Sequence, residues 1–465
     1  MTFQNQPFSI FIRVLLYMKT LVISFLFLSI VSSCDESQHT IVSIMETTAI
    51  VMGKAVIKIM PRNSGWISLE ETLQPQYLIT QPRRELSWRR EDFTETSTYQ
   101  PPDGWSLIDA VTHASAEISA VIIKADAKQN YLLEIKMLRF KVNGSIVEQQ
   151  IFPITLPDPH IFYFPVSLDR IKLVAYGEDV YSAIRWGQNE IVACRFKFLN
   201  NQFQANWQQI VEPPSFIETA GIIGGGFDNF HQGNRFLFTH AGVDSQGNFY
   251  VAVGSGEDLL PAHDKWFNEH LFSDADPGSF DFGVAILTKF SSSGERQYAK
   301  LCGKSRSKQF LNLKVFNQSI FLVGRIKIGT DPGSWDAWIL NVDGSNGSVV
   351  YESSLNIKDG DMFWDMCVLP DGTALAVGTT NYTQNPFGLS VSDERKAAAF
   401  VLNAQGKIVK EIILPQGPSQ RGNEAIFVTA LQNGFALFSG MQNAPGTHAD
   451  VYANGFITVK NISKL

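Results

Sequence analysis

The chain has 465 residues, 18% of them charged, and a formal net charge of −7. That length accommodates one large or two to three ordinary domains, and the acidic balance provides no basic field to attract nucleic acid or anionic lipid, which argues against a nucleic-acid partner. Beyond Cys34 the cysteines are Cys194, Cys302 and Cys367, odd in number, far apart and set in apolar, strand-like contexts. No framework of closely spaced pairs exists, so buried free thiols are expected and the core must hold the fold.

The first element is an export signal. Arg13 and Lys19 precede the apolar run Leu21–Val31, which is followed by Ser32, Ser33, Cys34 and the polar stretch Asp35–His39. Positive charge, a short apolar core and small residues are the three parts of a secretory signal, and the core falls short of the about 20 apolar residues of a membrane-spanning helix. Val31-Ser32-Ser33-Cys34 resembles the lipobox of bacterial lipoproteins. The resemblance implies cleavage before Cys34, a diacylglyceryl thioether on its sulfur and usually an acyl chain such as palmitate on the new amine. Two or three chains anchor stably, because each buried CH₂ contributes about 0.8 kcal/mol. The alternative is an ordinary secretory signal with a coincidental cysteine. Asp35 and Glu36 resemble an inner-membrane retention signal in some bacteria and accompany surface export in others, so the receiving membrane, inner or outer, stays open. Met18-Lys19 is a more usual start than Met1, which would make residues 1–17 an over-long reading of the gene, and both starts give the same mature chain.

After Cys34 the pattern is all-β: runs of four to eight residues rich in Val, Ile, Phe, Tyr and Leu, separated by Gly, Asn, Asp and Pro turns. Strand-like sequence begins near Thr40, continues in Ala55–Met60 and Gly65–Leu69, and becomes a regular repeat near Trp105. Asp244–Gly254, Phe316–Gly324, Leu369–Gly378 and Leu431–Gly440 each read as a turn and a strand ending in a small-residue break. A second hairpin follows the first three, in Val284–Phe290, Asp336–Asp343 and Ala398–Ala404 with the turns and strands after them. Weaker copies lie at Ile118–Lys124 with Leu133–Phe140 and at Asp169–Gly177 with Ile191–Lys197. The units fall near residues 105–155, 160–213, 235–304, 309–356, 362–416 and 423–461.

A four-stranded antiparallel unit repeated around an axis is a β-propeller. The last unit lacks its fourth strand, which an early strand within Thr40–Met60 would supply, giving six blades. If the N-terminal segment forms its own sheet instead, the count is seven. The division is then a signal peptide at 1–33, a lipidated leader with N-terminal strands at 34–104, and the propeller at 105–465. Asp336-Ala-Trp-Ile-Leu-Asn-Val-Asp-Gly344 and Gln405-Gly-Lys-Ile-Val-Lys410 resemble bacterial propeller repeats of the delta-60 or quinoprotein-like type, well over residues 235–461 and loosely over 105–213. The resemblance implies a fold and leaves the activity open.

Chemistry in a propeller gathers at a mouth of the channel, so the long insertions are where a site is expected. Gly256–Gly283 is the longest within a blade and holds His263, Asp264, Glu269, His270, Asp274, Asp276 and Asp281. His263, Asp264, Asp274 and Asp276 are the candidate ligands for a divalent metal such as calcium, against the plainer reading of a solvated polar loop, because the histidine spacing has no zinc signature and Asp274-Ala-Asp276 lacks calcium-loop order. Asp359, Asp361 and Asp365 could gather three carboxylates but sit at a blade junction, where Asp and Gly make turns, and Asp343–Gly347 is a hairpin connection. Gly221–Gly226 lacks the Lys-Ser or βαβ setting of a phosphate loop; it reads as an inter-blade connection whose neighbours Phe227–His231 could touch a ligand. Trp266, Trp335 and Trp338 could stack on a sugar, but an aromatic residue in a propeller more often packs between blades.

Several enzyme classes lose support on absent motifs. A quinoprotein dehydrogenase carries tryptophan-docking motifs in nearly every blade, whereas here only Trp338 is comparably placed. No sialidase-type Ser-x-Asp-x-Gly-x-Thr-Trp turn, Gly-x-Ser-x-Gly elbow or local Cys/His signature occurs. The expectation is therefore a binding or scaffold module of the cell envelope, exported and facing the periplasm or exterior, with the membrane and a protein or glycan as partners and no resident cofactor. The alternative is a hydrolase of polysaccharide or phosphate esters using metal or carboxylates at the channel mouth. Oligomeric state is left open.

Overall fold

The structure, a computed structural model, describes residues 40–41, 48–52, 55–62, 65–72, 83–90, 95–125, 132–152, 171–186, 190–211, 238–255, 284–302, 308–327, 335–357, 360–369, 371–381, 395–416, 423–431, 434–442 and 454–462. Every regular element among them is a strand. Two short strands come first, β1 (Thr40–Ile41) and β2 (Thr48–Met52). The first blade comprises β3 (Ala55–Arg62), β4 (Gly65–Thr72), β5 (Arg83–Arg89) and β6 (Glu95–Tyr99). The second has β7 (Trp105–Thr112), β8 (Ile118–Ala125), β9 (Leu132–Phe140) and β10 (Ile146–Ile151), and the third β11 (Ile171–Tyr176), β12 (Asp179–Trp186), β13 (Glu190–Leu199) and β14 (Gln202–Ile210). The fourth has β15 (Phe238–Val243), β16 (Phe249–Ser255), β17 (Val284–Phe290) and β18 (Arg296–Cys302), and the fifth β19 (Lys308–Phe316), β20 (Ser319–Lys327), β21 (Trp335–Asp343) and β22 (Val349–Leu355). The sixth has β23 (Met362–Val368), β24 (Ala374–Thr380), β25 (Lys396–Leu402) and β26 (Ile408–Ile412); β27 (Glu424–Ala430), β28 (Phe435–Gln442) and β29 (Asn454–Asn461) complete the chain.

Within each four-stranded sheet the strands pair antiparallel in chain order, and the last sheet runs β1-β2-β29-β28-β27. The first strand of each blade contacts the first strand of the next: β3 with β7, then β11, β15, β19, β23 and β27, and β27 returns to β3. That cycle closes a ring, so the protein is a β-propeller of seven blades. Six was the first expectation and seven the alternative. The two roles posed as alternatives for the N-terminal segment are both filled, because β2 is the fourth strand of the last blade while β3 to β6 form a separate sheet. A five-residue strand suffices for closure, which leaves the following residues free to start the first blade.

Side chains alternate across each sheet with period two, and in a propeller both faces meet another blade. Ile320, Leu322, Trp338 and Leu340 of the fifth blade pack toward Tyr250, Ala252 and Leu287 of the fourth. Their neighbours Phe321, Val323, Ala337 and Ile339 pack toward Phe363, Met366 and Phe400 of the sixth. A fully buried residue of this kind contributes roughly 1.5–3 kcal/mol, which is why β21 reads as a nearly continuous apolar run while the outer strand β14 is buried only at Phe203 and Trp207.

The glycines that appear in sequence as strand ends have another cause. Gly378 pairs with Phe363, and Gly440 with Ala425, just before β-bulges in the innermost strands. A Cβ on Gly378 would lie 1.8 Å from the Met362 carbonyl oxygen, and one on Gly440 2.0 Å from that of Glu424. The strands continue past both glycines, so these residues mark a close approach of main chains rather than an end. Cys194, Cys302 and Cys367 are free thiols; burial pushes Cys367 up to about 12.

The connectivity makes the two ends of the ring unlike. First-to-second and third-to-fourth strand turns lie at one end, exemplified by the hydrogen bonds Gly247 N to Asp244 O (3.0 Å), Gly372 N to Leu369 O (2.9 Å) and Gly406 N to Asn403 O (2.9 Å). Asp343–Gly347 is a turn of this type, closed by Gly347 N to Asp343 O at 2.7 Å. Second-to-third strand segments and blade-to-blade links leave from the other end, among them residues 153–170, 212–237, 256–283 and 443–453.

Candidate binding site at the loop-bearing end

The metal candidates His263, Asp264, Asp274 and Asp276, with Trp266, fall within residues 256–283 and lie outside the described residues, as do Cys34, Asp359 and the segment containing Gly221–His231. The ends of the 256–283 segment are fixed by the pairing of Ser255 with Val284. It therefore departs from the loop-bearing end of the fourth blade. Among the described residues no group of three or more His, Cys, Asp and Glu is arranged to hold a metal ion.

The described floor of that end is a belt of buried polar groups joining blades five, six and seven. The Asp361 N–H donates to the Trp335 carbonyl at 2.7 Å, and the equivalent Asn423 N–H donates to the Arg395 carbonyl at 3.0 Å. Each bond fastens the residue just before an innermost strand to the beginning of the third strand of the preceding blade, at Trp335 in β21 and at Arg395 one residue before β25. The Arg325 guanidinium lies 4.1 Å from the Trp335 ring centroid, a cation–π contact strengthened by desolvation. Arg395 and Glu424, both buried, form an ion pair across the sixth and seventh blades. Burial also pushes the Asp336 carboxyl above the usual carboxylate range.

Asp361 and Asp365 are engaged separately. Asp361 Oδ2 accepts from Ile357 N at 2.7 Å. Asp365 lies within β23 rather than in a turn; its Oδ1 accepts from Asn312 Nδ2 at 2.7 Å, with Lys314 Nζ at 3.0 Å, and its Oδ2 accepts from Val428 N at 3.1 Å. Burial pushes this carboxyl up, while Lys314 and the N–H groups of Val428 and Met366 pull it down. Asp109 repeats the device, accepting from Ala110 N and, across the blade junction, from Leu173 N, each at 2.9 Å. Both follow a bulge in an innermost strand. Asp365 and Asp109 latch neighbouring blades, and their oxygens are occupied by main-chain donors and, in Asp365, by Asn312 and Lys314, which disfavours them as catalytic carboxylates. Trp338 packs between the fourth and fifth blades with Nε1 donating to Glu352 at 2.9 Å, in keeping with the packing reading.

The turn end is stapled by side chains. Tyr181 Oη donates to Gly247 O at 2.9 Å, Tyr250 Oη to Gly344 O at 3.2 Å, Trp207 Nε1 to Ser292 O at 3.1 Å and Ser353 Oγ to Gln405 O at 3.2 Å, each bridging adjacent blades. Between blades two and three, His113 Nδ1 contacts Gly177 O at 3.0 Å and Nε2 contacts Ser119 Oγ at 2.8 Å. With a carbonyl at Nδ1, that nitrogen carries the proton and Nε2 accepts from the serine. Arg139 donates to Ser119 Oγ at 3.2 Å, to Glu117 at 2.8 Å, and to Glu178. Ser119 is 0% exposed, so this serine–histidine pair has no access to a substrate. Burial, followed by the Arg139 charge, lowers His113 to about 4.

Arg325, Arg395, Asn423 and Glu424 belong to no motif in the sequence. The available signal was positional: Asp361 and Asn423 each stand one place before or at the start of an innermost strand, at corresponding points of consecutive repeats. The described residues form a ring with one end stapled by side chains and, at the other, a belt of buried polar groups beside the strand ends from which the long connections depart. That suits recognition by loops held on a rigid scaffold.

No known protein family matches the chain, and no curated protein matches it at a significant level. Among solved structures, a protein of unknown function from Dyadobacter fermentans is similar at TM-score 0.43 and 12% identity, over 92% of this chain and 98% of that one. The β-propeller domain of the trilobed protease from Pyrococcus furiosus has TM-score 0.42 and 8% identity, over 88% of this chain and 95% of that one. YCF48 from Cyanidioschyzon merolae has TM-score 0.42 and 11% identity, over 88% of this chain and 100% of that one.

Proposed function

We propose that this propeller is a lipid-anchored binding or scaffold module of the bacterial cell envelope, carrying its lipid on Cys34 and engaging a protein or glycan through the loop-bearing end. The observation that carries the reading is the asymmetry of the ring. Short turns and cross-blade staples close one end, whereas the segments at 153–170, 212–237, 256–283 and 443–453 leave from the other. Variable segments on a rigid support are where binding residues concentrate. The lipobox-like Val31–Cys34 supports the anchor.

The test is site-directed photo-cross-linking in cells of the native organism. A photoreactive residue replaces Lys396, exposed at the loop-bearing end, or Asp371, exposed in a tight turn at the other end. One discrete adduct from position 396 and none from 371 supports the reading; adducts from 371 alone overturn it. The density of histidine and carboxylates in residues 256–283 favours a second reading, a hydrolase of polysaccharide or phosphate esters with calcium or another divalent ion on His263, Asp264, Asp274 and Asp276. Calorimetric titration of the mature protein with calcium and with zinc separates the two: tight stoichiometric uptake sinks the plain scaffold.

A further inference from the structure

The register of the N-terminal strands sets a direction for the anchor. β29 begins at Asn454, after the segment 443–453, and so runs from the loop-bearing end toward the turn end. β2 is antiparallel to it, with Thr48 opposite Val459 and Met52 opposite Gly455, and therefore runs back toward the loop-bearing end. β1 is antiparallel to β2, with Thr40 opposite Val51 and Ile41 opposite Ile50. Thr40 thus lies on the loop-bearing side, at the outer edge of the seventh blade.

We infer that the loop-bearing end of the ring faces the bilayer that holds the lipid; this rests on the anchor at Cys34 proposed above. Cys34 precedes Thr40 by a segment whose fully extended reach is roughly 20 Å. A bilayer at the turn end would require that segment to double back along the rim from the level of Phe456 to that of Asn461. At about 3.4 Å per residue that path consumes roughly 17 Å of the reach. With the bilayer at the loop-bearing end the whole reach remains as slack. What the loops meet is then the membrane surface and what is embedded in it, while the stapled turns face away.

Energy transfer to a lipid-borne acceptor tests this on the full-length lipidated protein in vesicles of phosphatidylethanolamine and phosphatidylglycerol. Lys396→Cys places a donor dye at the loop-bearing end of the sixth blade, and Asp371→Cys places one at its turn end. Ser293→Cys, in an exposed turn of the fourth blade, repeats the turn-end measurement. The native thiols interfere little, since Cys194 and Cys302 are buried and Cys367 is pushed up to about 12. Roughly 20 Å of strand separates the two positions in the sixth blade, so transfer from position 396 exceeds that from 371 by about twofold or more. If the protein floats with the vesicles but 371 and 293 transfer equally or better, the orientation is overturned and the anchor stands. If the Cys34 protein does not float, or Cys34→Ala floats as well, the anchor reading fails and the orientation falls with it.

Discussion

Gly378→Ala is the substitution whose cost follows most directly from the geometry. The new methyl would sit 1.8 Å from the Met362 carbonyl oxygen, 2.9 Å from its carbon and 3.0 Å from Phe363 Cα. All three are main-chain atoms of β23, so no side chain can rotate out of the way. Relief requires the β23–β24 pair to separate at the bulge, where the Phe363 and Asp365 register shifts. Overpacking of this kind costs about 1–3 kcal/mol, with the upper end expected when main chain must move. The gain of about 0.4–1 kcal/mol from restricting the unfolded chain does not offset it. With an unfolding entropy of about 2.1 cal/mol/K per residue, a cost of about 3 kcal/mol lowers Tm by about 3 °C if the roughly 410 residues from Thr48 to Asn461 melt as one unit. Gly440→Ala, with its methyl 2.0 Å from Glu424 O, behaves alike. Differential scanning calorimetry measures both, with chemical denaturation as the check on reversibility. A Tm within about 1 °C of the parent for both variants refutes the close-approach explanation of these glycines.

His113 makes stability depend on pH. Its folded value is about 4, below the usual 6.5, so between those values the unfolded chain binds a proton that the folded chain refuses. Stability from this group is complete above pH 6.5 and declines by about 3 kcal/mol as pH falls to 4; His113→Gln flattens that slope in a Tm–pH series. Arg395→Met leaves Glu424 buried without its guanidinium partner and costs about 3–5 kcal/mol in urea unfolding, and Arg395→Met with Glu424→Leu recovers a large part of it. Cys34→Ala moves the protein from the membrane fraction to the soluble fraction on ultracentrifugation; continued membrane attachment overturns the anchor.

Much of the candidate site depended on the ring rather than on any local pattern. Asp365 sits in a strand-like run that also suits a junction turn, and its role emerges only when β19 and β27 bring Asn312, Lys314 and the Val428 N–H to its two oxygens. The Arg395–Glu424 pair likewise joins a third strand to the first strand of the next blade. Neither partner carries a motif, because the pairing is made by packing between repeats. The 256–283 segment, by contrast, was identifiable from its length and its polar composition.

The all-β class, four clear repeats with two weaker copies, and the hairpins at Asp244–Gly247, Asp343–Gly347 and Gln405–Gly406 are legible in the amino-acid order, since two-residue alternation and turn chemistry are local properties. The additional blade, the first, emerges only from the folded ring, because its β4 (Gly65–Thr72) lacks the glycine-ended strand of the later units. The same holds for β2, which closes the ring beside β29, and for β1, whose Thr40 lies opposite Val51 at the loop-bearing end. The physical reason is separation along the chain: a ladder between Val51 and Phe456 depends on where the ring brings its ends together, and no local propensity encodes that.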